Sequence, residues 1–285
     1  MPSTREIRRR IRSVKSTAKI TKAMEMVAAS KMRKAQQRDI AARPYARKMQ
    51  EVLTDLAAQP RSAEVLHPLL QQRPVQRITV VHITADRGLC GGLNANMNRR
   101  TAAFLLDQKV PVSLVTVGKR GRDFMIRYGR DVKADFTQLG DYPELIDTVS
   151  IARVIMDDYM AGNVDQVYLA YTDFVNTAIQ KPKIMLLLPV EPAESKGSQP
   201  REYIYEPSPA AVLSELLPRF VEMQVYHAVL ESIASEFSAR MVAMRNASDA
   251  AFDMINSLTL TYNKVRQETI TRELSEISAG AAALS

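Results

Sequence analysis

The sequence predicts an α/β protein with a long α-helical coiled coil, in which N- and C-terminal helices pair antiparallel and an α/β domain is inserted between them. Three observations predict this. After Pro218 the chain contains no proline, and no glycine until Gly280. Within that stretch, apolar or small residues recur at alternating steps of three and four, which keeps one stripe on one side of a helix over many turns. A similar stripe occupies the other end of the chain, and β-branched runs separated by turn residues fill the middle.

The C-terminal segment, residues 209–285, carries the seam Met223, Tyr226, Leu230, Ile233, Phe237, Met244, Ala247, Ala251, Met254, Leu258, Thr261 and Val265, with Arg240 as its one charged interruption. Helical throughout, about 70 residues would reach roughly 100 Å. A rod of that length is expected to project and to need a partner along it. The N-terminal segment, residues 1–58, reads as a second long helix from Thr4 to about Ala58, capped by Ser3 or Thr4 with Glu6 in its first turn. Its seam runs Ile7, Ile11, Val14, Ala18, Thr21, Ala28, Met32, Ala35, Ala42, Ala46, Met49, Leu53 and Leu56, broken by Glu25 and Asp39. These members are smaller, which favours close approach of two helices. Pro44 and Pro218 are expected to bend or interrupt their helices, because proline removes a backbone donor and clashes with the preceding turn.

Gln59 to Pro74 holds Pro60, Pro68 and Pro74 and reads as a connection. Residues 75–190 then change character. The expected strands are Arg77–Thr84, Val112–Val117, Asp131–Phe136, Val167–Tyr171 and Ile179–Leu188, the last two forming a hairpin about Asn176 and Thr177. The expected helices are Asn94–Gln108, Lys119–Tyr128 and Pro143–Met160. Strands alternating with helices argue a mostly parallel sheet covered on its faces, a Rossmann-like α/β domain. Glu191 to Pro209, rich in Pro, Ser, Glu and Lys, links back to the long helix.

Composition narrows the classes. No apolar run reaches the ~18 residues of a membrane span, and the longest, Ile184 to Val190, is strand-sized. No apolar signal segment follows the basic N-terminus, so the chain is expected to be unprocessed and cytosolic-side. Cys90 is the only cysteine and has no internal disulfide partner. The net charge is +8. Met1 to Pro60 holds 15 Lys and Arg against 5 Asp and Glu, a local +10, so the rest sums to −2. The basicity belongs to the N-terminal helix, which therefore seeks an acidic partner.

No catalytic constellation emerges, and the expected catalytic, cofactor and metal residues are none. Asp86-Arg87-Gly88-Leu89-Cys90-Gly91-Gly92 lies between strand and helix, where phosphate loops sit. Its glycines do not match G-x-G-x-x-G, and Gly92 is followed by Leu93-Asn94 rather than Lys-Ser/Thr. The expectation is a tight turn with Asp86 and Arg87 exposed and Cys90 buried. His67, His82 and His227 are scattered and give no metal spacing. A basic helix fits DNA, an anionic membrane or a protein surface. A basic-zipper reader needs its zipper contiguous with the basic region, and a membrane-surface helix needs a broad bulky apolar face. A protein-facing or solvated shaft is the favoured reading, with a basic coiled-coil nucleic-acid-binding protein as the alternative and a nucleotide-binding enzyme as a third. The tail Ala279-Gly-Ala-Ala-Ala-Leu284 is small and uncharged, either a frayed end or a slender tip turning in a sleeve.

Four blocks carry a resemblance. Ile20-Thr-Lys-Ala-Met-Glu-Met-Val-Ala-Ala-Ser-Lys-Met32, Asp86-Arg-Gly-Leu-Cys-Gly-Gly-Leu-Asn94, Met244-Arg-Asn-Ala-Ser-Asp-Ala-Ala251 and Ile270-Thr-Arg-Glu-Leu-Ser-Glu-Ile-Ser-Ala-Gly-Ala-Ala-Ala283 resemble the gamma subunit family of F-type ATP synthases, in the family's order and across essentially the whole chain. The likeness is to bacterial members. It implies a central rotor shaft that makes no covalent chemistry and binds no cofactor. The implied partners are alpha and beta subunits (three each), which hold the nucleotide sites, the epsilon subunit, and the membrane ring of c subunits driven by protons or sodium. Nucleic acid is not among them. Membrane contact would come only through the complex, at the cytoplasmic face of the cell membrane. The resemblance places Met24 near the acidic lever loop of beta, with Lys15, Lys19 and Lys22 as charge partners. It matches Arg266, Gln267, Thr271 and Glu273 to positions that contact beta or support the N-terminal helix, and makes Arg87 a further contact.

Overall fold

A computed structural model describes residues 3–58, 67–191 and 206–284. The helices are α1 (Thr4–Ala58), α2 (Leu93–Asp107), α3 (Lys119–Arg127), α4 (Leu145–Met160) and α5 (Pro209–Leu284). The strands are β1 (Ile78–Ile83), β2 (Val112–Val117), β3 (Val132–Phe136), β4 (Gln166–Phe174) and β5 (Gln180–Leu188). The chain divides into two compact units, Met1–Ala28 with Arg240–Ser285, and Ala29–Ala239.

In the larger unit the sheet order is β3-β2-β1-β4-β5, parallel except for the β4–β5 hairpin. All six residues of β1 are buried, as expected of a central parallel strand covered on both faces. Ile78 and Val80 face α2 and α3 through Met97, Leu105 and Met125. Val81 and Ile83 face the other way, toward Ile151, Ile155 and Tyr159 of α4 and Val221, Val225 and Val229 of α5. Met49 and Leu53 of α1 join that second core. The connection before β1 contains an unexpected 3-10 turn, Pro68–Leu70. The His67 ring accepts from the Leu69 backbone N–H at 3.3 Å, and Leu69 is fully buried. Residues 59–66 and 192–205 of the two connections lie outside the described residues, as do the side chains of the seam members Ala42, Ala46 and Leu56.

Three buried serines fasten the hairpin to α5. Ser232 Oγ accepts from the Thr172 backbone N–H (3.4 Å), Ser235 Oγ donates to the Thr172 carbonyl (3.2 Å), and Ser238 Oγ donates to the Thr177 carbonyl (2.8 Å). Their spacing of three puts them on one face of the helix. Their small size lets the strand backbone come within hydrogen-bond range.

In the smaller unit the two helices run antiparallel. Arg8 Nη2 donates to Tyr262 Oη (2.6 Å), Ser248 Oγ to the Ala18 carbonyl (3.3 Å), and Arg245 Nε to Glu25 Oε1 (3.0 Å), so one residue number falls as the other rises. Ala18, Ala28 and Ser248 are buried, and the bond from Ser248 to a backbone oxygen requires the close approach that small side chains permit.

Two expectations are corrected, that a proline interrupts its helix and which residues form the distal seam. Pro44 and Pro218 lie inside α1 and α5, which continue as single helices through them. Each proline's φ is already helical, and the long flanking runs of hydrogen-bonded turns absorb one missing donor. The distal α5 seam also runs through different residues. Met254 is 52% exposed and Thr261 is exposed, while Ile255 and Tyr262 are half-buried between Ala251, Leu258 and Val265. Both phases alternate steps of three and four. Packing selects the one that turns Ile255 inward and lets Tyr262 reach Arg8.

Candidate partner-contact surface

Lys15, Lys19 and Lys22 fall at steps of four and three on α1 and are all exposed, which places them on one face beside the seam. Lys22 Nζ is 3.0 Å from Glu25 Oε2. Glu25 does not leave the seam. It is buried at 7% exposure and held by Lys22 and Arg245 from two sides. Hydrogen bonds from Lys22 first, then Arg245, hold its carboxyl below the usual carboxylate range. It is an ionised group at the middle of an apolar seam, a device that specifies register in paired helices.

Met24 is only half-buried and sits beside this bridge. Ile20 (60% exposed), Met26 (60%) and Val27 (54%) present more apolar surface than Met24. Sequence reasoning passed over them because it followed the seam. Their signal was large apolar side chains at positions the seam leaves out.

On α5, Arg266, Gln267, Thr271 and Glu273 are all exposed. Arg266 and Glu273, seven apart, share one stripe with the exposed Ile270 and Ile277, and Gln267 and Thr271 share the next stripe with Leu274. The distal α5 therefore alternates polar groups with exposed apolar ones.

Arg87 belongs to the larger unit and is also exposed. Its neighbour Asp86 is not the free surface group the sequence predicts. Asp86 Oδ1 accepts from the Lys119 backbone N–H (2.9 Å) and Oδ2 from that of Gln138 (2.9 Å). Asn94 Oδ1 accepts from the Ala85 N–H (3.1 Å), and Asn94 Nδ2 reaches the Arg87 carbonyl (3.4 Å). Cys90 is buried at 1% exposure beneath this turn, as expected. The turn is thus clamped at both ends and presents Arg87 and Leu89 to solvent from a fixed base. Asp86 also places a carboxylate on the first amide of α3, one of the helix starts where a phosphate would bind.

Among the described residues, no group of three or more His, Cys, Asp and Glu is placed to hold a metal ion, and no helix is long and apolar enough to cross a membrane.

The family model for ATP synthase matches residues 3–284. The ATP synthase gamma chain of Dehalococcoides mccartyi is 62% identical over 284 residues, covering 100% of both chains. The chain belongs to the ATP synthase gamma family. The gamma chain of Herpetosiphon aurantiacus is 51% identical over 293 residues, covering 100% of this chain and 99% of its own. Among solved structures, a chain of the Tetrahymena thermophila mitochondrial ATP synthase central stalk and c-ring matches with a TM-score of 0.61 and 28% identity, over 80% of this chain and 99% of that one. A chain of the Euglena gracilis mitochondrial ATP synthase shares the fold, with a TM-score of 0.68 at 20% identity over 99% of this chain and 94% of that one. Gamma-family membership accounts for the four sequence blocks and for the paired end helices flanking an α/β domain. Nothing in these comparisons supports the nucleic-acid alternative.

Proposed function

We infer that the chain is the central rotor shaft of an F-type ATP synthase, coupling ion-driven rotation of a c-ring to ATP synthesis or hydrolysis at alpha and beta subunits. The observation that carries this reading is the end-to-end identity of 62% with a gamma chain. The antiparallel helix pair supports it physically. A shaft transmits torque only if it is stiff, and α5 runs 76 residues with a single internal proline. Rotation also needs contacts that exchange readily, and exposed Lys and Arg side chains make screened, individually weak pairs.

In this reading Lys15, Lys19 and Lys22 attract the acidic lever loop of beta beside Met24. Arg266, Gln267, Thr271 and Glu273 contact beta or brace the N-terminal helix, and Arg87 adds a contact from the α/β domain. The exposed Ile20, Met26, Val27, Ile270, Leu274 and Ile277 supply apolar surface over which beta slides. The chain itself carries out no covalent chemistry and needs no cofactor. It sits peripherally at the cytoplasmic face of the cell membrane, attached through epsilon and the c-ring. Purification from native membranes tests this. Recovery in one assembly with alpha and beta chains is the expected result, and recovery alone or with nucleic acid overturns it.

A further inference from the structure

We propose that the groove between α2 and α3 is a docking site for an acidic segment of a partner polypeptide. The groove has a volume of about 680 Å³ and lies on the face of the sheet opposite α4 and α5. Four arginines line it, Arg99 from α2, Arg120 and Arg127 from α3, and Arg130 just beyond α3. The one carboxylate in the lining, Asp123, is already held by Arg122 at 3.0 Å. Among the described residues no carboxylate pairs with any of the four guanidiniums, although α1 and the sheet use theirs in Arg245–Glu25 and Arg122–Asp135. Leu106 (72% exposed) and Tyr128 (65%) stand in the same lining. The floor is tied to the core through Asn98, which is buried and whose Oδ1 lies 2.8 Å from His82 Nε2.

The chemistry favours carboxylates on a chain over the phosphates of a nucleotide. The first amides of α3 are already occupied. Lys119 N–H donates to Asp86 Oδ1, Arg120 N–H to the Ala85 carbonyl and Gly121 N–H to Thr84 Oγ1. No backbone cradle remains there for phosphate oxygens. The α2 wall of the groove, with Arg99 in it, also runs from Ala95 to Leu106, three turns of helix and about 16 Å. That matches an extended or helical segment better than one small anion. Exposed Leu106 and Tyr128 give such a segment an apolar contact between its charges, and guanidiniums pair with carboxylates in a bidentate manner. The groove shares no residue with the beta contacts proposed above, so this reading and that one fail independently.

The test uses the full chain and a fluorescent peptide of alternating Glu and Leu residues. Binding should saturate, weaken with added NaCl, and fall at least about tenfold in Arg99→Glu/Arg127→Glu. Reversing two exposed cations outside the groove, Lys109→Glu/Arg153→Glu, should change it less than about twofold. The neutral pair Arg99→Gln/Arg127→Gln should also weaken binding, which guards against misfolding of the reversed variant. Equal loss in the groove and control variants overturns the proposal, as does failure of the peptide to bind. Displacement by ATP, single-stranded DNA or anionic vesicles at lower concentration than by unlabelled peptide also overturns it.

Discussion

Glu25 on α1 and Arg245 on α5 meet at 3.0 Å across the paired helices, 220 residues apart in the chain, with Lys22 closing the other side of the same carboxylate. The arrangement is asymmetric. Glu25 is buried, whereas the side chains of Lys22 and Arg245 are 56% and 58% exposed. Removing the acid frees two cations that water can solvate, so Glu25→Ala should cost about 1 kcal/mol. Removing both cations strands a buried carboxylate, so Lys22→Ala/Arg245→Ala should cost more, about 3 kcal/mol. Urea denaturation of the full chain measures both, and equal costs would refute the asymmetry. The folded-state pKa of Glu25 is depressed. Its stabilisation is therefore fully present above pH ~4.5 and lost as pH falls below that.

His82 gives a second pH effect, in a higher window. Its ring is fully buried between Asn98 and Thr101, and burial pushes its pKa from 6.5 down to about 4. The unfolded chain binds the proton first. Stability should therefore fall as pH drops from about 6.5 to about 4, by up to about 3 kcal/mol, and be flat in this respect above pH 7. In His82→Gln the slope across that window should largely vanish. An unchanged slope would assign it to other groups.

Gly118 and Gly121 frame the start of α3. Gly118 has φ +95°, and a Cβ there would sit 2.1 Å from the Thr84 carbonyl oxygen, which is backbone and does not move aside. Gly118→Ala should destabilise by about 3 kcal/mol or more. At Gly121 a Cβ would meet His82 Cδ2 at 2.6 Å. Gly121→Ala should therefore lose stability, although alanine favours helix by about 1 kcal/mol. Thermal melts of the two variants rank them directly.

Met24→Lys should lower coupling between ion transport and ATP synthesis while the complex still assembles. It adds a cation where the proposed reading sets beta's acidic lever loop, and a stronger hold at one rotor angle slows the exchange of contacts that rotation requires. Reconstituted vesicles measure the ratio of synthesis to transport, and an unaltered ratio sinks the argument.

Removing Ser278 to Ser285 should leave measurable ATP hydrolysis in the assembled complex, because the proposed torque contacts at Arg266 to Glu273 remain. Complete loss of hydrolysis with assembly intact would place torque in the tip instead.

The element order, the parallel sheet with its terminal hairpin and the two long helices were legible in the sequence. Each rests on local regularities, namely periods of 3.5 and 2, β-branched runs, and turn residues at their ends. Those regularities follow from backbone geometry and need no knowledge of distant contacts. The four sequence blocks likewise point to the gamma family by themselves. Only the tertiary structure decided what depends on residues far apart in the chain. It chose Ile255 and Tyr262 over Met254 and Thr261 as the distal seam, since two phases of one pattern differ only in what they meet across the interface. It turned Glu25 from a break in the seam into its ionic bridge, and Asp86 from a surface group into a clamp on Lys119 and Gln138. It also brought Arg99 and Arg127 to one groove, two charges on different helices that no periodicity links. Spacing along a helix is set by the chain itself, whereas the partner of a charge or hydroxyl is set by which other element packs against it.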